Sequence, residues 1–298
     1  MTQLQHTPVL LSETTDLLQL EQGQTVLDVT LGLGGHAQKF AEIIGPTGLL
    51  IGIDADAENL RLAENRLEKT GPSKQYYHAN FANLSALDLP LCDRIFADLG
   101  VSSPHFDDPE RGFSFRTDAP LDLRYDRSQG RSAAQWIRSS SPEEIVKALR
   151  FYGELQQARR IGEAVSVAVP ETTFALRDVV ESVVGYRVKQ VLPQVFQAFR
   201  ITVNDELHAL ESFLDFSINH LSSEGILAVM SYHSLEDRMV KRKFKEISTP
   251  EIDSYTGGIS KEAPFELLTK KPIRPGEKEQ VQNPRSRSAL LRAVRKAQ

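Results

Sequence analysis

Nine residues early in the chain, Asp28-Val-Thr-Leu-Gly-Leu-Gly-Gly-His36, set a carboxylate beside three glycines. Gly32, Gly34 and Gly35 allow a tight turn and close approach of the backbone to a ligand. A second carboxylate, Asp54, follows Gly32 by 22 positions, the spacing of an acid that grips ribose hydroxyls. A third, Asp98, opens Asp98-Leu-Gly-Val-Ser-Ser-Pro104. Two ligands fit this set. Gly32-Leu-Gly-Gly-His-Ala37 matches the dinucleotide fingerprint G-x-G-x-x-G/A, which points to NAD. S-adenosylmethionine is favoured over it, because its cationic amine suits Asp28, where a dinucleotide site usually has an apolar residue. Asp98 either binds the same cofactor or accepts a hydrogen bond from a reacting amine. Phe81 either stacks on an adenine ring or packs in the core. His233-Ser-Leu-Glu-Asp237 invites a hydrolase or metal reading. Ser234 lacks the flanking glycines of a nucleophile elbow, and no second histidine follows at ligand spacing, so no metal is expected.

These residues need a scaffold, and the pattern around them supplies one. Strand signals at Thr25–Thr30, Leu49–Asp54, Gln75–His78 and Arg94–Asp98 alternate with helical spacing at His36–Ile44 and Ala57–Lys69. Such alternation predicts a parallel sheet with helices on both faces, and open sheets of this kind bind ligands at the carboxyl ends of their strands. Residues 103–130 break the pattern with Pro, Asp, Gly and Arg. Helices are predicted at 133–138, 142–151, 155–169 and 176–188. The α/β pattern resumes with a helix over 204–221, a strand over 225–231, a basic helix over 235–247 and an edge strand over 288–294. The expected architecture is a discontinuous core, 1–106 with 198–298, carrying a mostly helical insertion at 107–197.

Composition bounds the rest. The chain has 298 residues, 40% hydrophobic and 25% charged, the profile of an ordinary globular protein. No apolar run approaches the ~18 residues of a membrane helix. The start, MTQLQHTPVL, lacks a basic region followed by an apolar one, so no signal peptide is expected. The single cysteine, Cys92, excludes an internal disulfide and fits a reducing cytoplasm. Net charge is −5, yet residues 238–298 hold 15 basic against 7 acidic groups. The last 18 residues carry five basic groups and no acid. A basic surface segment is an electrostatic footprint for phosphates. Arg238, Lys241, Arg242, Lys243 and Lys245 share a predicted helix, so several can face an RNA backbone.

Taken together, the motifs resemble those of the MraW family of ribosomal RNA small subunit methyltransferases. The resemblance runs through His6-Thr-Pro-Val-Leu-Leu, the glycine loop, Asp98–Pro104, Asp107-Asp-Pro-Glu-Arg-Gly-Phe-Ser-Phe115 and Pro120-Leu-Asp-Leu-Arg124. It continues through Tyr152-Gly-Glu154, Phe196-Gln-Ala-Phe-Arg-Ile201, Ser234-Leu-Glu-Asp-Arg238 and Asn283-Pro-Arg-Ser-Arg-Ser288. The resemblance implies a Rossmann-like class I methyltransferase core using S-adenosyl-L-methionine. It implies methylation of the exocyclic N4 of a cytidine in 16S rRNA of the small ribosomal subunit, near the decoding site, in the cytoplasm. By position, it implies cofactor contacts at Gly34, Gly35, His36, Asp54, Phe81, Asp98 and His105. His105 stands where the family usually has glutamine, and Val191-Leu-Pro-Gln-Val195 departs from the family's pattern. On this reading Asp98, with Ser102 and Ser103, forms the catalytic set. Arg111, Phe113, Phe115, Arg124, His233 and Arg238 form the candidate RNA contacts. A homodimer is left open, and no membrane association is expected. A non-catalytic assembly factor and methylation of a different acceptor remain rival readings.

Overall fold

The structure is a computed structural model that describes residues 8–253 and 255–298, with the side chains of Ser103 and Asp107 left out. It divides into two compact units, one of residues 1–100 and 208–298, the other of 101–207. In chain order the first unit supplies α1 (Leu11–Leu18), β1 (Thr25–Asp28), α2 (Gly35–Ile44), β2 (Leu49–Asp54), α3 (Ala57–Leu67), β3 (Ser73–His78) and β4 (Cys92–Asp98). The second supplies α4 (Ser103–Asp107), α5 (Ala133–Ser139), α6 (Pro142–Phe151), α7 (Ala158–Ala168), α8 (Thr173–Val184) and α9 (Val188–Asn204). The first resumes along α10 (Glu206–His220), β5 (Leu221–Ser231) and α11 (Ser234–Ile247). It ends with β6 (Glu251–Ile252), β7 (Ile259–Lys261), β8 (Phe265–Leu267), α12 (Glu277–Gln282) and β9 (Leu290–Lys296).

The sheet runs β3-β2-β1-β4-β5-β9-β8, with β1 to β5 parallel and β9 antiparallel to both its neighbours. This is the α/β, mostly parallel, Rossmann-like arrangement expected. Alternate residues of each strand enter opposite cores, as a period of two requires. Leu27, Ile51 and Ile95 pack with Phe213 and Phe244 on one face. Val26, Leu50 and Phe96 pack with Phe40, Leu60 and Ala63 on the other. Strand order reverses between β1 and β4, each side having been built by a separate crossover, and the crevice at that point is where ligands sit in such sheets. Three neighbouring strands, β2, β1 and β4, each end on an aspartate: Asp54, Asp28 and Asp98.

The second unit has its own core of Leu121, Leu123, Ile137, Ile145, Ile161, Leu176, Val180, Phe196 and Phe199. Its boundaries differ from the expected 107–197. α9 runs on to Asn204, and its buried Ala198 and Phe199 belong to this core, so residues 198–207 go with the helical unit. Pro193 lies inside α9. An interior proline forfeits a backbone hydrogen bond, and here the burial of Leu192, Val195 and Phe196 offsets that loss. Asn204 also fixes a strained turn. Its Nδ2 donates to the Leu123 carbonyl at 2.8 Å while its Oδ1 accepts from the Tyr125 N–H at 2.8 Å. Leu123 there holds φ at +66°, a left-handed conformation that a branched side chain keeps only when its surroundings fix it. Among the described residues, no helix is long and apolar enough to cross a membrane.

Phe40 is fully buried and meets Phe96 edge-on, with ring centroids 5.4 Å apart. Phe40→Ala is expected to cost about 3–5 kcal/mol, read as a lower urea midpoint with an unchanged m-value.

Candidate active site

The glycine turn is shaped by conformations that side chains resist. Gly34 caps α2 at φ +74°, and a Cβ there would lie 3.3 Å from the Cβ of Ala63. A Cβ on Gly35 would lie 2.6 Å from the Pro8 ring. Gly32, at φ +53°, turns its N–H to Asp54, which accepts at 2.7 Å. The other Asp54 oxygen accepts from the Asp56 N–H at 2.8 Å. Asp54 therefore ties the loop to the end of β2.

Asp28 is almost wholly buried and accepts from the Thr30 N–H at 3.1 Å. Burial pushes its carboxyl up to about 7; the Thr30 N–H opposes this, and the charges of Asp98 and Asp54 add to it. The Thr30 hydroxyl accepts from the Asp98 N–H at 2.6 Å, joining the ends of β1 and β4. Asp98 is also pushed up to about 7, chiefly by desolvation although a quarter of its side chain stays open, with Glu236 adding to the rise. The Tyr232 hydroxyl opposes it by donating to Asp98 Oδ1 at 2.8 Å. On the other side, His36 Nδ1 stands 3.7 Å from Asp98 Oδ2, while His36 Nε2 donates to the Val9 carbonyl at 2.9 Å. Phe81 follows β3, half-buried, with its ring edge-on to Phe213 at 5.8 Å.

This arrangement discriminates between the two cofactors. Three carboxylates end adjacent strands, and among the described residues no lysine or arginine enters the balance at Asp28 or Asp98. A pyrophosphate would be repelled by such a crevice. The sulfonium and ammonium of S-adenosylmethionine would be attracted, with Asp28 and Asp54 placed to hold them and the ribose. The residues present therefore fit that cofactor and disfavour NAD.

Other expected site residues have mixed fates. Ser102 and His105 belong to the second unit, bonded to each other at 2.9 Å between Oγ and Nδ1. The Ser103 side chain, and the opening His6 and Thr7, lie outside the described residues. The candidate RNA contacts of the 104–127 loop are engaged internally. Phe113 is buried and stacks on Tyr125 at 5.8 Å, and Phe115 meets Phe196 edge-on at 5.4 Å. Arg111 is buried beside Asp108. Arg124 grips Asp122 with two nitrogens, at 2.7 and 2.9 Å, and reaches two loop carbonyls with a third. In the structure these side chains are held by partners within the protein. Aromatic rings gain more from burial than from display, and a bidentate carboxylate satisfies a guanidinium. His233 is engaged likewise: it caps α11, its Nδ1 accepting from the Glu236 N–H. Arg238 is exposed on α11.

Tyr232 escaped the sequence reading. Its signal was its place, one residue past the end of β5 and two past Met230, which pairs with Asp98 on the neighbouring strand.

The chain is similar to known methyltransferases. Residues 3–297 match the MraW methylase family. A ribosomal RNA small subunit methyltransferase H from Halothermothrix orenii is 37% identical over 306 residues, covering 98% of both chains. One from Syntrophotalea carbinolica is 40% identical over 309 residues, again covering 98% of both. Among solved structures, an rRNA methylase from Streptococcus thermophilus covers 96% of this chain and 95% of its own, at 11% identity and a TM-score of 0.43.

The raised carboxyls have a consequence for ligand binding. Burial pushes the carboxyls of Asp28 and Asp98 up to about 7, so both hold protons more readily than an exposed carboxylate does. A cationic ligand favours the carboxylate forms, lowers both values and expels protons. Affinity for S-adenosylmethionine is expected to rise between pH 6 and 8, by at most about tenfold per pH unit for each proton released. Calorimetry in buffers of different ionisation enthalpy measures that release, and proton uptake on binding would contradict the assignment. Stability has the opposite sign. Folded values above unfolded ones mean that the free protein loses stability as pH rises from about 4 to about 7.

Proposed function

The chain belongs to the MraW methylase family, and from that membership we propose that it methylates the exocyclic N4 of a cytidine in 16S rRNA of the small ribosomal subunit, near the decoding site. The observation that carries this reading is the family match over residues 3–297, with Asp28, Asp54 and Asp98 all in place at adjacent strand ends. The reaction belongs in the cytoplasm, where small subunits are assembled.

Bound S-adenosylmethionine supplies an electrophilic methyl group on a sulfonium. Asp28 and Asp54 would hold the cofactor. A cytosine amine is a poor nucleophile because its lone pair is delocalised into the ring, so positioning and proton acceptance are the protein's contributions. Asp98 accepts a hydrogen bond from N4, localises the lone pair, and takes the N4 proton; the methyl group would pass to nitrogen as its bond to sulfur breaks, the sulfur leaving as a neutral thioether. The Tyr232 hydroxyl fixes the carboxyl through Oδ1 and leaves the Oδ2 edge, on which His36 Nδ1 faces, as the working oxygen. The base must leave any stack to reach a strand-end carboxylate. The helical unit, residues 101–207, is assigned the recognition of the RNA around that base.

Purified protein, labelled S-adenosylmethionine and small subunits from cells lacking this gene are expected to yield N4-methylcytidine, weighed after nuclease digestion. Cofactor binding without any transfer would favour a non-catalytic assembly role instead. Asp98→Asn is expected to cut kcat by about 10²–10⁴ while cofactor affinity changes far less. Equal losses in both would make Asp98 a cofactor contact only. Tyr232→Phe removes the hydrogen bond that holds the Asp98 carboxyl down. The acid limb of its kcat profile is expected to move to higher pH, because the base then stays protonated longer.

A further inference from the structure

The basic C-terminal region is not a uniform positive surface. Several of its cations are engaged within the protein. Arg292 grips Asp237 with two nitrogens, at 2.7 and 3.1 Å. Lys243 pairs with Asp215 at 2.7 Å. Arg295 pairs with Glu266 at 3.5 Å, and Lys296 donates to the Leu221 carbonyl. α11 divides a buried face from an exposed, charged one. Its face toward the core carries Glu236, Val240 and Phe244, all buried. The opposite face carries Arg238, Lys241, Arg242 and Lys245, all exposed. Those four fall at spacings of i, i+3, i+4 and i+7, so they form one stripe about 10 Å long.

The stripe is costly to the isolated protein. Like charges three and four positions apart repel and destabilise a helix. The helix dipole favours Lys245, in the last turn, but works against Arg238, nearer the N-terminus. Three acids near the stripe are paired elsewhere: Asp237 with Arg292, and Asp215 and Glu246 with Lys243. Among the described residues, no ion pair engages Lys241, Arg242 or Lys245. The stripe also has a definite start. α11 begins directly after Tyr232 and His233, and Tyr232 is bonded to Asp98. The cations therefore lead away from the carboxylate at which the base reacts.

We propose that this face of α11 is a track for the sugar–phosphate backbone of the RNA strand that flanks the target nucleotide. The proposal rests on the RNA methyltransferase reading for its substrate and adds to it the surface of the core that grips the strand. Each cation on the track neutralises a phosphate and releases counterions, so binding there is salt-dependent and indifferent to sequence. The track supplies affinity and register, and the choice of base is left to the pocket.

The test uses the full chain with Lys241→Glu, Arg242→Glu and Lys245→Glu combined. A control with the same change in net charge carries Lys39→Glu on α2, Arg61→Glu on α3 and Lys69→Glu just past the end of α3. A milder Lys241→Gln, Arg242→Gln, Lys245→Gln variant guards against misfolding of the reversal. The probe is a protein-free 16S rRNA fragment, with binding followed against potassium chloride concentration. The reversal is expected to raise KM for the fragment at least tenfold while kcat and S-adenosylmethionine affinity stay within twofold. The slope of log affinity against log salt is expected to become shallower by about 2 for three lost cations on a single strand. The glutamine variant gives a smaller loss of the same kind, and the control gives neither. An unchanged slope, or equal changes in the control, overturns the track. So does a loss confined to intact subunits, which would make the partner a ribosomal protein. If the wild-type protein transfers no methyl group yet the slope changes only in the α11 variants, the enzymatic reading fails and the track stands.

Discussion

Three carboxylates ending adjacent parallel strands are the constraint around which the first unit is organised. Parallel pairing of β2, β1 and β4 brings Asp54, Asp28 and Asp98 to one edge of the sheet, where the charges of Asp98 and Asp54 add to the proton affinity that burial gives Asp28. The protein offsets this with dipoles and spends no lysine or arginine on Asp28 or Asp98 among the described residues. The Gly32 N–H, the Thr30 N–H and the Tyr232 hydroxyl each take one carboxylate oxygen. A partly compensated anionic site in a low dielectric is unfavourable when empty and well suited to a cation. The two apolar cores that clamp the sheet from either face provide the stability against which that cost is set.

The same economy explains the second unit. Its loop from 104 to 127 has the composition of a nucleic-acid contact; Arg111, Phe113 and Arg124 are engaged within the protein, while Phe106, Arg116 and Arg127 are exposed. Phe113 and Phe115 complete a helical core too small to do without them, and Arg124 closes on Asp122. Arg200 and Tyr125 together saturate Glu206, with Arg200 contacting both oxygens at 2.7 and 2.8 Å. Asn204 locks the Leu123 turn from the end of α9. The charged and polar residues here hold a loop of few regular elements in one shape, which is a prerequisite for presenting any surface at all.

Charge distribution follows a related division. Cations of the C-terminal region that lie beside β5, β8 and β9 find carboxylates or carbonyls, because strands in a sheet bring distant segments into register. Lys241, Arg242 and Lys245, exposed on the outer face of α11, are in no ion pair among the described residues. A single count of +8 over the last 61 residues merges these two populations, and their separation depends on which helix face the sheet covers.

Most of the catalytic scaffold was legible from residues alone. Strand and helix periods over the first hundred residues, the glycine turn and the three aspartates are local signals, and the sheet places each where its position implies. The preference for a cationic cofactor was also local, since it rested on Asp28 standing inside a strand. What the sequence did not disclose depended on contacts between distant segments. α1, β8 and the β6–β7 hairpin are too short to show a period, and Pro193 disguises α9 as a break. Tyr232 becomes a partner of Asp98 only because β5 lies beside β4. The fate of Arg111, Phe113, Arg124 and His233 turned on whether a partner or a core stood nearby. A sequence by itself determines which chemistry a side chain is capable of. Only the tertiary structure decides whether that capacity is offered to a ligand or consumed inside the fold, because burial and pairing are properties of neighbours far away in the chain.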